Sequence, residues 1–223
     1  MRNTKFKKGI KLWNKATKLI PGGNMLISKR PQQFLPGNWP TYFSKSKKCY
    51  VWDIDGHKFV DMATMGVGTN ILGYGNDEVD KAVKKVIQNG NMSSLNCTEE
   101  VLLAKKLVDL HPWSAMVKFA RTGGEANSIA TRIARAATGK DKIAVCGYHG
   151  WHDWYIGSTE KDLGVPEEIK KLTVSVEFNN FKKIKSLFEK GPRDYAALII
   201  EPEGAEIQNN NFLKKVRAIT KKY

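Results

Sequence analysis

The chain has 223 residues, of which 41% are hydrophobic and 26% are charged, and 37 Lys and Arg against 22 Asp and Glu give a formal net charge of +15. This length and composition are those of a globular protein with a sizeable core, so they exclude an intrinsically disordered chain and a collagen-like one. The apolar runs are far shorter than the roughly 20 residues that a membrane span needs. We therefore expect a cytoplasmic protein that does not enter a membrane.

The positive charge is spread along the chain and forms no run of five or six like charges. Lysines such as Lys81 and Lys84 lie in predicted helices, without the interleaved aromatic residues that stack on bases. We therefore expect no binding of nucleic acid.

The cysteines are three in number and contain no C-x-x-C pair. This pattern argues against a disulfide framework and against a cysteine-based zinc site. We expect all three to be buried as small apolar residues, namely Cys49, Cys97 and Cys146.

The first 60 residues predict one helix followed by a hairpin. Apolar residues recur with a helical period over residues 4–19, and Pro21 follows soon after. Residues 42–61 are rich in β-branched and aromatic residues, and the turn pair Asp55-Gly56 divides them. Because the composition changes near residue 60, we expect a small unit over residues 1–60 and a larger domain over residues 61–223.

Beyond residue 60, predicted helices and strands alternate. Such alternation is typical of an α/β domain, in which helices cover the faces of a mainly parallel sheet. Helices are predicted over residues 79–88, 99–110, 125–137, 181–189 and 212–222, and strands over residues 116–120, 142–146, 172–176 and 196–200.

A glycine turn joins the predicted strand 116–120 to the following helix. Gly123 and Gly124 let a ligand approach the backbone, and the free amides and dipole of a helix start favour a phosphate. Thr122 adds a hydroxyl group. The motif is neither a Walker loop nor a dinucleotide fingerprint, and a tight turn that binds no ligand explains the same residues.

A second motif, with the sequence GYHGWHD, follows the predicted strand 142–146 directly. Open α/β sheets place their ligands at this end of the strands. Tyr148 could stack on a flat heteroaromatic ring, and Gly150 leaves space for one. His149 and His152 have metal-binding atoms, but their spacing matches no recognised set, and histidines of the core or surface are the other interpretation. We predict no metal site.

A third motif ends the predicted strand 196–200. Pro202 prevents the strand from continuing, so the carboxylate of Glu201 is expected at the ligand edge of the sheet. A strand-end acid that only faces solvent is the alternative.

Together these motifs resemble the class III pyridoxal-phosphate-dependent aminotransferases. Residues 119–126 are similar to the S-G-T-E-A phosphate loop of that family, residues 148–150 to its Y-H-G motif, and residues 200–202 to its strand-end E-P motif. Residues 53–61 and 71–74 are similar to its N-terminal region. The likeness covers nearly the whole chain and is strongest to glutamate-1-semialdehyde 2,1-aminomutase and its homologues.

The resemblance implies the fold type I of pyridoxal-phosphate-dependent transferases, which is aspartate aminotransferase-like. Residues 1–60 would then be the N-terminal part of a small domain. Residues 61–223 would be an incomplete large domain that binds pyridoxal 5'-phosphate.

The resemblance also assigns cofactor-binding residues. Thr122, Gly123 and Gly124 would hold the phosphate, Tyr148 would stack against the pyridine ring, and Glu201 would lie near the cofactor. The family more often has Ser-Gly-Thr in the phosphate loop, so in this chain a hydroxyl group has moved or one donor is lost.

The catalytic residues are expected outside this chain. In the family, an Asp pairs with the pyridinium nitrogen and a later Lys forms the Schiff base, and both would lie beyond Tyr223. We therefore expect no catalytic residue here, and we expect the 223 residues to be about half of a longer enzyme. The resemblance further implies a homodimer at full length, and the chain alone is not expected to catalyse transamination.

Two departures favour an intermolecular aminotransferase over the aminomutase. Val67 stands where the aminomutase has a substrate-facing Trp, and Glu206 stands where it has an Asn. A carboxylate at that position could pair with an arginine and so admit the amino donor. With His149, these two residues are the predicted substrate-side residues.

The expected reaction therefore moves an amino group from a small-molecule donor to a carbonyl acceptor, which is a small aldehyde, a keto acid or a keto sugar. Two alternatives stay open. One is the aminomutase reaction, an intramolecular amino transfer that gives 5-aminolevulinate. The other is a non-catalytic relative that binds pyridoxal phosphate.

Overall fold

The structure, a computed structural model, describes residues 5–90, 92–191, 194–202, 209 and 211–223. The chain forms two compact units, Met1–Asn96 and Cys97–Tyr223. The predicted boundary near residue 60 separates the small and large domains of the full-length fold. The two compact units do not test it, so it stays a prediction.

The Met1–Asn96 unit contains a three-stranded antiparallel sheet with the strand order β1-β2-β3. Tyr50 lies opposite Val60, and Trp52 lies opposite Lys58. The predicted helix and hairpin are confirmed, and the structure adds β1 as a third strand. The elements of this unit are α1 (Lys7–Leu19), β1 (Phe43–Lys47), β2 (Tyr50–Asp53), β3 (Lys58–Val60) and α2 (Asp77–Gln88).

Two carboxylates organise the turn between β2 and β3. Asp53 is buried, and its Oδ1 accepts a hydrogen bond from the backbone N–H of His57 at 2.7 Å. Asp55 accepts hydrogen bonds from the backbone N–H groups of Lys8 at 3.0 Å and Gly9 at 3.1 Å, so it ties α1 to the turn. The hydrogen bond from the Lys8 amide is the main cause that lowers the pKa of Asp55. The contacts of these two carboxylates within the fold thus explain why the turn is acidic.

Tyr74 provides a pH-dependent contact in the same unit. Its hydroxyl donates to Asp61 Oδ2 at 2.6 Å, and burial, this hydrogen bond and the negative charge of Asp61 raise the pKa of Tyr74 to about 12. Because the folded pKa exceeds the unfolded one, we expect the contribution of Tyr74 to stability to be complete below about pH 10 and lost as the pH rises towards 12. An ultraviolet titration against Tyr74→Phe measures this ionisation, and an identical curve for Asp61→Asn would contradict the assignment.

The Cys97–Tyr223 unit is an α/β structure around a parallel sheet with the strand order β5-β4-β6. Central Ile143 pairs with Thr173 on one side and with Ala197 on the other. The elements of this unit are α3 (Thr98–Leu110), α4 (Gly123–Thr138), β4 (Lys142–Cys146), α5 (Asp153–Ile156), α6 (Glu167–Lys170), β5 (Thr173–Ser175), α7 (Phe181–Lys190), β6 (Tyr195–Ile200) and α8 (Phe212–Lys222).

Both faces of β4 are covered. Ala144 belongs to one buried cluster with residues of α7 and α8, whereas Ile143 and Val145 belong to another with Trp154 and Tyr155 of α5. A continuous apolar strand is expected where both faces of a parallel sheet are buried. The predicted α/β class and mainly parallel sheet are confirmed.

The predicted strand over residues 116–120 is wrong. The structure assigns no strand to these residues, and Met116 is 86% exposed. A strand requires a neighbouring backbone to pair with, and none of the strands in the described ranges pairs with this segment. The apolar pattern of residues 116–120 is a local feature and does not show whether a partner strand is present.

The prediction that all three cysteines are buried is also wrong for two of them. Cys146 is buried in β4, whereas Cys49 and Cys97 are exposed. Cys49 lies between β1 and β2, and Cys97 precedes α3, so both are at connections that face solvent.

Among the helices of the described residues, none combines the length and apolarity needed to cross a membrane.

Candidate cofactor site

The start of α4 carries two amide groups that point to no acceptor in the described chain. Thr122 caps the helix, since its Oγ1 accepts a hydrogen bond from the N–H of Glu125 at 3.2 Å. The Glu125 carboxylate in turn accepts from the N–H of Arg121 at 2.8 Å. The N–H groups of Gly123 and Gly124 belong to the first turn, where no helix carbonyl reaches them. Together with the helix dipole they favour an anion.

The loop after β4 lies against this helix start. Gly150 has φ +103, and a Cβ there would lie 3.1 Å from Gly124 Cα. A Cβ on Gly124 would in turn lie 3.2 Å from His152 Nε2. Two positions without side chains therefore allow the close approach of the two loops. The structure thus brings the first and second sequence motifs together.

The third motif meets the second at the carboxyl ends of β4 and β6. The N–H of Glu201 donates to the Cys146 carbonyl at 3.0 Å, and the carboxylate of Glu201 accepts from the N–H of Tyr148 at 3.2 Å. Gly147, with φ +92, makes the turn that permits this second contact. Glu201 is thereby held at the tip of its strand, next to the loop that carries the aromatic ring.

Tyr148 presents its ring to solvent at this edge of the sheet. Its side chain is 69% exposed, and its ring meets that of Tyr155 edge-on with centroids 5.9 Å apart. Tyr155 itself is buried and donates from its hydroxyl to the Gly147 carbonyl at 3.0 Å. Burial raises the pKa of Tyr155. The supported ring of Tyr148 has a free face for stacking on a flat ligand.

His149 faces the interior instead. It is 5% exposed, its Nε2 lies 2.9 Å from the Cys146 carbonyl oxygen, and its own carbonyl accepts from Asn127 at 3.3 Å. These contacts favour the interpretation of a core histidine that shapes the loop. Its predicted place on the substrate side stays a prediction.

An open groove of about 590 Å³ runs beside the start of α4. Residues 118–121 form part of its lining together with Glu125, Ser128 and His152. Lys118 and Arg121 give this lining two basic side chains. Ser128 was not among the predicted site residues, and for His152 the sequence offered a metal ligand or a histidine of the core or surface.

The other two predicted substrate-side residues are Val67 and Glu206. Val67 belongs to the Met1–Asn96 unit, where it is exposed and has φ +60. Glu206 falls outside the described residues. Within the ranges that the structure describes, no three His, Cys, Asp or Glu side chains are grouped as a metal site would require.

Several known proteins are similar to this chain. The family model of class III aminotransferases matches residues 36–223. The chain is 37% identical over 226 residues to the 3-aminobutyryl-CoA aminotransferase of Cloacimonas acidaminovorans, covering 98% of this chain and 53% of that protein. It is 34% identical over 224 residues to the glutamate-1-semialdehyde 2,1-aminomutase of Francisella philomiragia, covering 93% and 51%.

Solved structures show the same fold. An omega-transaminase from Sphaerobacter thermophilus has a TM-score of 0.86 at 24% identity, over 99% of this chain and 55% of that one. A glutamate-1-semialdehyde-aminomutase from Pseudomonas aeruginosa has a TM-score of 0.80 at 22% identity, over 98% and 50%. The predicted fold type I is confirmed, and the chain spans about half the length of the curated relatives that it matches. The chain belongs to the class III aminotransferase family.

Proposed function

We propose that this chain binds pyridoxal 5'-phosphate, with its phosphate at Thr122, Gly123 and Gly124 and its ring beside Tyr148. The observation that carries the proposal is the helix start, where two N–H groups have no acceptor among the described residues and against which the Tyr148 loop packs through Gly150. A dianionic phosphate suits this donor set. A flat ring suits the exposed face of Tyr148.

The chain's own groups would each contribute one task. The N–H groups of Gly123 and Gly124 would fix the phosphate, and the hydroxyl of Thr122 can donate to it while accepting from Glu125. Tyr148 would cover one face of the ring and exclude water from it. Glu201, anchored by the N–H of Tyr148, would keep a negative charge at the strand tip near the cofactor. When bound, pyridoxal phosphate supplies an electron sink for negative charge that develops on a substrate carbon.

The proposed reaction is the transfer of an amino group between a small-molecule donor and a carbonyl acceptor. Val67 in place of the aminomutase Trp, and Glu206 in place of its Asn, support an intermolecular aminotransferase. The 37% identity to an enzyme named as an aminotransferase supports the same choice. The 34% identity to an aminomutase favours the second candidate, in which donor and acceptor are parts of one molecule.

The two reactions are distinguished by assays of the protein that the complete reading frame of this chain encodes. The aminotransferase should consume a keto acid or aldehyde only when an amino donor is added. Formation of 5-aminolevulinate from glutamate-1-semialdehyde without an added donor would establish the aminomutase instead. A protein that binds the cofactor but transfers no amino group with either set of substrates would be the non-catalytic relative.

Cofactor binding is tested on the 223-residue chain with pyridoxamine 5'-phosphate, which has no aldehyde to react with the lysines. We expect calorimetry to show binding that weakens at least about tenfold for pyridoxamine, because the phosphate contacts are charge-assisted hydrogen bonds. Gly123→Asp should weaken binding to a similar degree. A Cβ at this position meets nothing within 4 Å, so the variant adds a negative charge without a collision.

Thr98→Asp is the matched control, because it adds the same charge to the first turn of α3 at an exposed position. It should leave the affinity unchanged. Equal binding of pyridoxamine and its phosphate, or equal loss in the two variants, would contradict the proposed phosphate site.

A further inference from the structure

His152 takes part in a chain of hydrogen bonds behind the helix start. Trp154 Nε1 donates to Ser128 Oγ at 3.0 Å, and Ser128 Oγ lies 2.6 Å from His152 Nδ1. Trp154 is buried, and Ser128 lies on α4 one turn after Gly124. The three side chains therefore connect α5 to the helix that begins at the proposed phosphate site.

This chain of contacts favours one position for the proton of His152. An indole N–H can only donate, so Ser128 Oγ accepts from Trp154 and keeps its own hydrogen to donate. Among the described residues, the other polar atom paired with that hydroxyl is His152 Nδ1, and we infer that the hydroxyl donates to it. A neutral His152 that accepts at Nδ1 must hold its proton on Nε2, and a protonated His152 holds one there as well.

His152 Nε2 lies next to the helix start. A Cβ on Gly124 would lie 3.2 Å from His152 Nε2 and 3.4 Å from Cδ2, so the imidazole occupies the space next to that glycine. Nε2 has no hydrogen-bond partner in the described part of the chain, although His152 is only partly exposed and lines the groove there. The Nε2 edge of His152 thus lies beside the first turn of α4, the turn that carries the N–H groups of Gly123 and Gly124.

We propose that His152 is a further phosphate-binding residue, whose Nε2–H donates to the cofactor phosphate. It replaces the hydroxyl that the similar phosphate loops have at position 124, where this chain has glycine. This inference rests on the proposed function, since it requires a phosphate at Thr122–Gly124. Ser128 and Trp154 are the positioning residues that set the imidazole in its Nε2–H form.

Two variants of similar size test the role of each ring nitrogen. The amide nitrogen of His152→Gln can donate from the place of Nε2, whereas the amide oxygen of His152→Asn can accept from Ser128 in the place of Nδ1. In calorimetry with pyridoxamine 5'-phosphate, we expect His152→Gln to bind within about threefold of the unchanged chain. His152→Asn should bind about ten- to a hundredfold more weakly, the range for losing one hydrogen bond to a charged group.

A purely structural role would give a different pattern. His152→Asn, which keeps the contact to Ser128, would then match the unchanged chain, or both variants would lose affinity equally; either result overturns the inference. If the unchanged chain binds pyridoxamine and its phosphate equally, the proposed function fails instead.

The position of the proton is measured without any ligand. Long-range nitrogen–proton correlation spectra distinguish the two neutral forms of each of the four histidines, and the spectrum of His152→Gln assigns the His152 signals. We expect the Nε2–H form for neutral His152. The Nδ1–H form would overturn the inference, since Nε2 could then not donate to a phosphate.

Discussion

Replacing Gly147 with alanine is expected to lower the free energy of unfolding of the Cys97–Tyr223 unit by about 3 kcal/mol or more, as strain and overpacking add. Gly147 has φ +92, which favours glycine, and a Cβ there would lie 2.6 Å from Glu201 Cβ. Cβ is not the mobile end of a side chain, so the ends of β4 and β6 must move apart. Denaturant unfolding followed by tryptophan fluorescence measures the loss.

Gly164→Ala separates conformational strain from collision. Gly164 has φ +86, close to that of Gly147, but a Cβ there meets nothing within 4 Å. We expect this variant to lose only the roughly 1–2 kcal/mol of a left-handed backbone. Equal losses in the two variants would show that the contact with Glu201 does not constrain this turn.

Ile184→Ala should destabilise the same unit by about 3–4 kcal/mol, because it removes buried methyl groups and leaves a cavity. Ile184 is 0% exposed and packs in the cluster that includes Ala144, Phe188 and Phe212. Ile133→Ala is the control, since this side chain is 57% exposed. That variant should lose less than about 1 kcal/mol in the same unfolding experiment, and a similar loss for both would contradict the assigned core.

The parts of the fold that follow from local chemistry were predictable. The strand predicted over residues 142–146 contains a continuous apolar run from Ile143 to Cys146, and the structure gives the same bounds for β4. Thr122 caps the start of α4, and Gly139, with φ +67, ends it. The hairpin turn at Asp55-Gly56 is equally local. In each case the residues that determine the conformation are within a few positions of one another.

Features that depend on distant residues could not be read in this way. The segment 116–120 has the composition of a strand, but pairing requires a second backbone that its own residues do not specify. Ser128 is 24 positions from His152 in sequence, so their contact appears only in the fold. The available indication was indirect: a phosphate loop with glycine at 124 lacks a donor, and a second histidine follows the Y-H-G motif.

The three thiols differ in exposure, so the rates of their chemical modification should differ as well. Cys146 ends β4 directly before Gly147 and is 1% exposed, whereas Cys49 and Cys97 are open to solvent. A disulfide reagent must reach the sulfur atom, so two thiols should react at once and the third only when the sheet opens. Any molecule that binds the folded site lowers the population of the open form by mass action. The rate at which Cys146 is modified should therefore fall when a ligand binds beside the neighbouring loop. No label has to be added to the chain for this measurement.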